Sequence, residues 1–366
     1  MRQKLFVLLS LCTLLSTPTL TYGQGKKPAP PGDSSQQTLT SSPNEPLAAN
    51  WSAEKSAFYL DTVSLAWLAR WRCTACHTGY LHLMAGPSLG EKPSAAQSKL
   101  RQFMENRVAH WDSGKAPDRP GQGSAIKPLP TEGTTEIVAT ATALAFHDAG
   151  TSGHLHPRTR QALDRIWTLQ QPNGAWTWNK SGLAPLEYDD YFGAVFAALG
   201  LGVAPDGYVR TPQAQQGLAR LRVYFQHNPP PNLHHQLWLL WASVKLDVLA
   251  PLAHREETIR ELRGLQQLDG GWSLPTLWAD RKTSAPAKRM ESDGYATGLS
   301  IYALRQAGLP ADDPGIVRGL AWLKAHQRQS GRWFTPSLNG SSRNLITNAG
   351  TALCAMALQA CAKGKE

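Results

Sequence analysis

The segment LQQPNGAWTW, residues 169–178, places Gln170, Gly174 and Trp176 in a Q-x-x-x-G-x-W spacing. The chain writes it twice more. LQQLDGGWSL, 265–274, carries Gln266, Gly270 and Trp272, and HQRQSGRWFT, 326–335, carries Gln327, Gly331 and Trp333. The same spacing three times marks a repeat architecture. Each copy closes an amphipathic stretch (QALDRIWTLQ, ETIRELRGLQ, VRGLAWLKAHQ). Each precedes, after a loop, a more apolar one (YFGAVFAALGL, ATGLSIYALRQAGL, GTALCAMALQACA). Apolar residues recur at helical spacing, and strand patterns are nearly absent.

The alternation continues where the motif is worn. Polar-faced helices are expected near 94–109, 157–170, 212–226, 255–266 and 314–326. Apolar helices are expected near 55–71, 134–148, 189–201, 233–248, 294–307 and 345–360. Apolar helices belong in an inner layer and amphipathic ones outside, where one face is wet. The prediction is an all-α fold, an (α/α)6-like toroid with its first outer helix missing or irregular. The repeats serve as staples. Gly takes the left-handed conformation that ends a helix, the Trp ring returns over that end, and the Gln amide ties up orphan backbone groups.

These repeats resemble the QW motifs of squalene-hopene cyclases and of the wider terpenoid-cyclase and protein-prenyltransferase toroid superfamily. RGLAWLKAHQRQSGRW is the fullest match, and coverage runs from about Thr131 to the end. The resemblance implies a toroid over 126–363. It also implies a test for cyclase chemistry, because class II cyclases protonate their substrate with the middle Asp of D-x-D-D. Here Glu187-Tyr188-Asp189-Asp190 opens an apolar helix. The resemblance makes Asp189 the acid, beside Asp190 and Glu187. Carboxylates at a helix start also offset the positive end of its dipole, which needs no catalysis. Squalene-type cyclases use two toroid domains, and this chain has one. The zinc site of the prenyltransferases is not expected, since no Asp-x-Cys occurs. Cys354 and Cys361 lie in the last helix, where Cys packs as a small hydrophobe.

A second signature stands apart from the repeats. RCTACHTGY, 72–80, holds Cys73, Cys76 and His77 as C-x-x-C-H, the attachment pattern of c-type haem. Two thiols add to the vinyl groups, and the adjacent imidazole reaches the iron. Zinc would call for a fourth ligand and usually a second Cys pair. A redox dithiol would call for a strand–helix–strand context, and a Cys73–Cys76 disulfide leaves His77 without a role. The likeness to cytochrome c is confined to this motif, within a segment 50–125. The chain is also similar to a bacterial exported group that joins such repeats to a C-x-x-C-H segment.

Export fits that reading. Arg2 and Lys4, an apolar run Leu5–Leu15 and a small-residue exit before Gln24 predict a signal peptide over 1–23. That places the chain in the periplasm, where haem c is joined. Residues 24–49, rich in Pro, Ser, Gln and Gly, are expected to be a disordered linker. No other run is long enough to span a membrane. Net charge is +10 but scattered, with no basic stripe among aromatics, so a nucleic-acid partner is not expected.

Parallel inner helices bring their N-termini to one mouth. That mouth would collect Glu132, Glu136, Glu187, Asp189, Asp190, His234, His235, Glu291 and Asp293. With 55–71 as an inner helix, the haem motif would lie at the opposite mouth, near His147. His147 and Met84 are then the distal-ligand candidates. Trp238 and Trp241 read as core, and 278–293 as a plain solvated loop rather than a lid over the carboxylate mouth. The expected function is redox. One covalent haem c per chain would transfer electrons with a partner protein, or oxidise an apolar small molecule held in the toroid. The alternatives are a terpenoid cyclase or lyase using the carboxylates, and a binding or haem-sensing protein without catalysis.

Overall fold

The three repeats fold as staples because the Gln amide and Trp indole of each find partners. Trp176, Trp272 and Trp333 are fully buried, and each indole N–H donates to a carbonyl of the preceding helix, Ile166, Leu262 and Leu323, at 2.7–2.8 Å. Gln170 donates to the carbonyls of Gly174 and Gly217, and Gln266 to those of Gly270 and Gly315. Gln327 donates to Gly331, Ser52 and Ser56. Each amide therefore ties its own loop to the next outer helix. The third copy reaches back to the N-terminal part of the chain. The motif glycines have φ of 92–95°, the left-handed region.

The computed structural model describes residues 40–74, 77–111, 130–249, 252–279 and 290–362. Cys76, the expected signal peptide, residues 24–39 of the expected linker and most of the 278–293 loop lie outside them. The described residues belong to the compact unit Ser34–Glu366. In chain order they form α1 (Ala53–Trp71), α2 (Gly79–Leu89), α3 (Ala95–His110), α4 (Pro130–Gly150), α5 (Pro157–Thr168) and α6 (Asp190–Val203). There follow α7 (Pro212–His227), α8 (Leu233–Lys245), α9 (Leu252–Gly264), α10 (Leu274–Trp278), α11 (Gly294–Gln306), α12 (Pro314–His326) and α13 (Ile346–Ala362). Among the described residues no strand occurs, only two isolated bridges. No described helix is long and apolar enough to cross a membrane.

The architecture is an all-α toroid. The inner helices α2, α4, α6, α8, α11 and α13 each pack on the next, and α13 returns to α2. They run in parallel, since like ends meet. A Cβ on Gly150 would meet Pro87 at the ends of α4 and α2, one on Gly202 would meet Lys245 at the ends of α6 and α8, and His234 meets Tyr295 at the starts of α8 and α11. The outer helices α1, α3, α5, α7, α9 and α12 run back between them. Apolar burial holds this layer together. α6 is buried over Tyr191–Leu201, and α8 buries Trp238 and Trp241 against each other at 5.2 Å. Both tryptophans are core, as expected.

Three expectations change. Residues 53–71 are an outer helix, with Phe58 and Trp71 exposed. The first inner helix is α2, which was not foreseen because GYLHLMAGPSL contains Gly79, Gly86 and Pro87. Those residues serve packing. A Cβ on Gly79 would press on Thr74 at 3.2 Å, and one on Gly86 on Gln97 at 3.2 Å. The six-and-six ring is thus complete. The division at residue 125 also dissolves, because α1–α3 are needed to close it. Finally, the last part of the expected linker is ordered. Glu45 pairs with Arg332 at 2.5 Å and accepts from Ser330 N, and Leu47 bridges to Arg328.

Candidate functional site

The connection from α1 to α2 carries the C-x-x-C-H motif. α1 ends with Arg72 in the left-handed conformation, φ 49°, its N–H bonded to the Leu68 carbonyl. Cys73 follows, half-buried, and His77 stands two residues before α2. The motif therefore lies at the mouth where the inner helices begin, and this corrects the expectation of the opposite mouth. His77 is 6% exposed, and its ring meets Trp67 edge-on at 4.8 Å. Burial pushes its pKa down to about 4, so the imidazole is neutral. Its Nε2 is buried without a hydrogen-bond partner, and so are Trp67 Nε1 and Thr78 Oγ1 beside it. A neutral imidazole with an unengaged, desolvated nitrogen has the chemistry of a metal ligand. The residues present fit a haem iron. Among the described residues no cluster of three or more His, Cys, Asp or Glu could hold a bare ion.

The two distal candidates lie elsewhere. His147 ends α4 at the far rim. Its Nδ1 accepts from Arg101 at 2.8 Å, and Arg101 also pairs with Asp148 at 2.6 Å. Burial, reinforced by the Arg101 charge, lowers its pKa to about 4. Met84 is buried within α2, about 10 Å along the chain axis from His77. The structure brings neither to His77.

The carboxylate mouth is built of helix caps. Asp189 is the N-cap of α6 and accepts from Phe192 N at 2.8 Å. His235 Nε2 lies 3.1 Å from its other oxygen. Burial pushes the Asp189 carboxyl up, but the His235 hydrogen bond and charge, the Phe192 N–H and Lys180 outweigh it and hold it below its ordinary value. An acid catalyst needs the reverse. Asp190 accepts from Trp178 N and pairs with Lys180 at 3.1 Å, and Glu187 accepts from Asn179 and Ser181. The raised carboxyl is Asp293, which burial moves to about 6. It too is a cap, accepting from Ala296 N, Leu274 N and Thr335 Oγ1. Glu136 is held bidentate by Arg107. His234 is fully buried, bonded to Tyr295 and Trp238, and opposite α2 in the ring. Glu136, Glu187, Asp189, Asp190 and Asp293 are thus all already engaged.

No family model matches the chain. Over 68 residues it is 38% identical to lanosterol synthase of Mus musculus, a stretch covering 19% of this chain and 8% of that one. Among solved structures, ent-copalyl diphosphate synthase from Streptomyces platensis is similar with a TM-score of 0.47 and 14% identity, over 90% of this chain and 69% of that one.

Proposed function

We propose that this chain is an exported electron-transfer protein carrying one haem c, joined through Cys73 and Cys76 and ligated by His77. The buried, neutral His77 with an unpartnered Nε2, four residues along the chain from Cys73, carries the reading. The C-x-x-C-H spacing supports it independently. The haem, when bound, supplies a one-electron iron couple. The chain's own residues fix its surroundings. Trp67 packs on the His77 ring and limits its rotation. The left-handed turn at Arg72 ends α1 so that Cys73 leaves the helix at the rim. The toroid is a rigid support, since α2 is clamped by α13 and α4.

Electron transfer is favoured over oxidation of a ligand inside the ring, because aromatic rings pack between α6 and α8. Trp238 packs on Phe192 at 5.3 Å and on Trp241 at 5.2 Å, and all three are at most 1% exposed. The partner is then another redox protein meeting the rim. The test is voltammetry on protein made in a host with the haem c assembly machinery. A reversible one-electron wave that disappears in Cys73→Ala supports the proposal. A wild-type chain with no wave rejects it.

A further inference from the structure

We propose that Tyr295 is a redox-active tyrosine, a one-electron site whose phenol gives its proton to His234 when it is oxidised. The pair lies across the ring from the C-x-x-C-H corner, and the inference does not depend on the haem reading.

Tyr295 is the second residue of α11 and His234 the second of α8, and neither is exposed. The Tyr295 hydroxyl lies 2.9 Å from His234 Nε2, and the Trp238 indole N–H donates to the same nitrogen at 3.1 Å. An indole N–H only donates, so Nε2 carries the lone pair. Burial holds the imidazole well below its ordinary pKa, so the ring is neutral and its one proton is on Nδ1. Nδ1 is buried without a hydrogen-bond partner, so Tyr295 and Trp238 alone orient the ring. Tyr295 thus donates its O–H to a base able to take the proton.

Other buried phenols are placed differently. Tyr59 donates to the Asn348 amide oxygen, Tyr80 meets the Thr140 hydroxyl and Tyr191 has no partner, so none of them faces a base. Tyr208 donates to Asp164 at 2.8 Å, but the Arg160 guanidinium stands over its ring at 5.5 Å. Positive charge arising on that ring would be repelled.

An electron leaving Tyr295 has a path. Trp238, the second donor to His234, packs on Trp241 at 5.2 Å, and Trp241 packs on Tyr302 at 4.8 Å. Tyr302 is half-buried, so this ladder of oxidisable rings runs from a closed end to an open one. The oxidant is an oxygen-centred radical of the peroxyl class. It gains one electron through the ladder and, with a proton from solvent, becomes a hydroperoxide. At Tyr295 the O–H bond breaks, and the proton moves to His234 Nε2. A neutral phenoxyl radical is left beside an imidazolium. One-electron reduction returns the proton to the oxygen. A phenol that has lost an electron is a far stronger acid than an imidazolium, so the proton moves even though burial disfavours the charged ring. The site is a sink for oxidising equivalents.

The test is electron paramagnetic resonance after flash oxidation, with photogenerated tris(bipyridine)ruthenium(III) as oxidant and persulfate as its sacrificial acceptor. Surface tyrosines such as Tyr188 give radicals that decay as those of a free tyrosine amide do. The expected result is a slower tyrosyl signal in wild type that is kept in Tyr208→Phe and lost in Tyr295→Phe. His234→Gln, whose amide does not take a proton, loses it too, and circular dichroism checks each fold. The high-field spectrum of wild type alone is a second readout, in which the imidazolium hydrogen bond lowers gx. A slow signal that survives Tyr295→Phe, its absence from wild type, or the gx of an unbonded phenoxyl overturns the proposal. Each of these outcomes leaves the haem reading intact, and colourless protein overturns that reading alone.

Discussion

Four of the ring's six turns from an outer to an inner helix come in two styles. After α5, α9 and α12 the turn is a Q-x-x-x-G-x-W staple, and every Gln amide and Trp indole in it is hydrogen-bonded. After α1 the turn is C-x-x-C-H, and Trp67 Nε1, His77 Nε2 and Thr78 Oγ1 are buried with no partner. The same architectural job is done in both places. A staple pairs its motif Gln and Trp, because an unpaired buried donor costs about 1–3 kcal/mol. A corner that leaves three such atoms open is shaped for something beyond the polypeptide.

The largest effect that would break this contrast is chemical. Cys73→Ala combined with Cys76→Ala should abolish covalent haem entirely, read as loss of haem staining on a denaturing gel. The corresponding change in a staple touches stability alone. A Cβ on Gly331 would lie 2.2 Å from the Lys55 carbonyl oxygen, at a φ of 95°. Gly331→Ala should therefore cost about 4 kcal/mol in a denaturant titration, from strain and overpacking together. Gly308, at φ 90° with nothing near its Cβ position, should cost only about 1 kcal/mol when changed to Ala.

A third effect concerns the far rim. His147 has a folded pKa of about 4, against about 6.5 when unfolded. Between those values the unfolded chain binds the extra proton. The stability it contributes is complete above about pH 6.5 and is lost as pH falls towards 4, by about 3 kcal/mol. His147→Asn should flatten the pH dependence by that amount relative to wild type, measured by unfolding at pH 7 and pH 4.5. The smallest effect sharpens the contrast most. Trp333→Phe removes a paired N–H and should cost about 1–2 kcal/mol. Trp67→Phe in a haem-free chain removes an unpaired one and should cost nothing or stabilise. Equal costs at the two positions would erase the distinction between the corners.

Legibility in the sequence followed the same division. The staples announced themselves because their spacing is fixed by geometry. Gln170 must reach Gly217, and Trp176 must reach Ile166. Five outer and five inner helices lie within a few residues of their expected spans for the same reason. α2 escaped notice because it is short and buried from Gly79 to Gly86. Periodicity vanishes when every face is apolar, and its glycines, needed for close approach, read as breakers. The error propagated, since taking α1 for an inner helix sent the motif to the wrong mouth and singled out His147. At the acidic mouth the residue types were legible but their roles were not. Asp189 and Asp293 are both caps with the same local sequence logic. Only burial and the His235 contact separate one held down from one raised to about 6.

The measurement that bears most directly on this account is the pyridine haemochrome spectrum of the purified chain, made with the haem c maturation machinery and denatured before reading. The account predicts the spectrum of thioether-substituted haem, one per chain, remaining with the polypeptide after extraction with acidified organic solvent. A colourless product, or haem that leaves with the solvent, contradicts it.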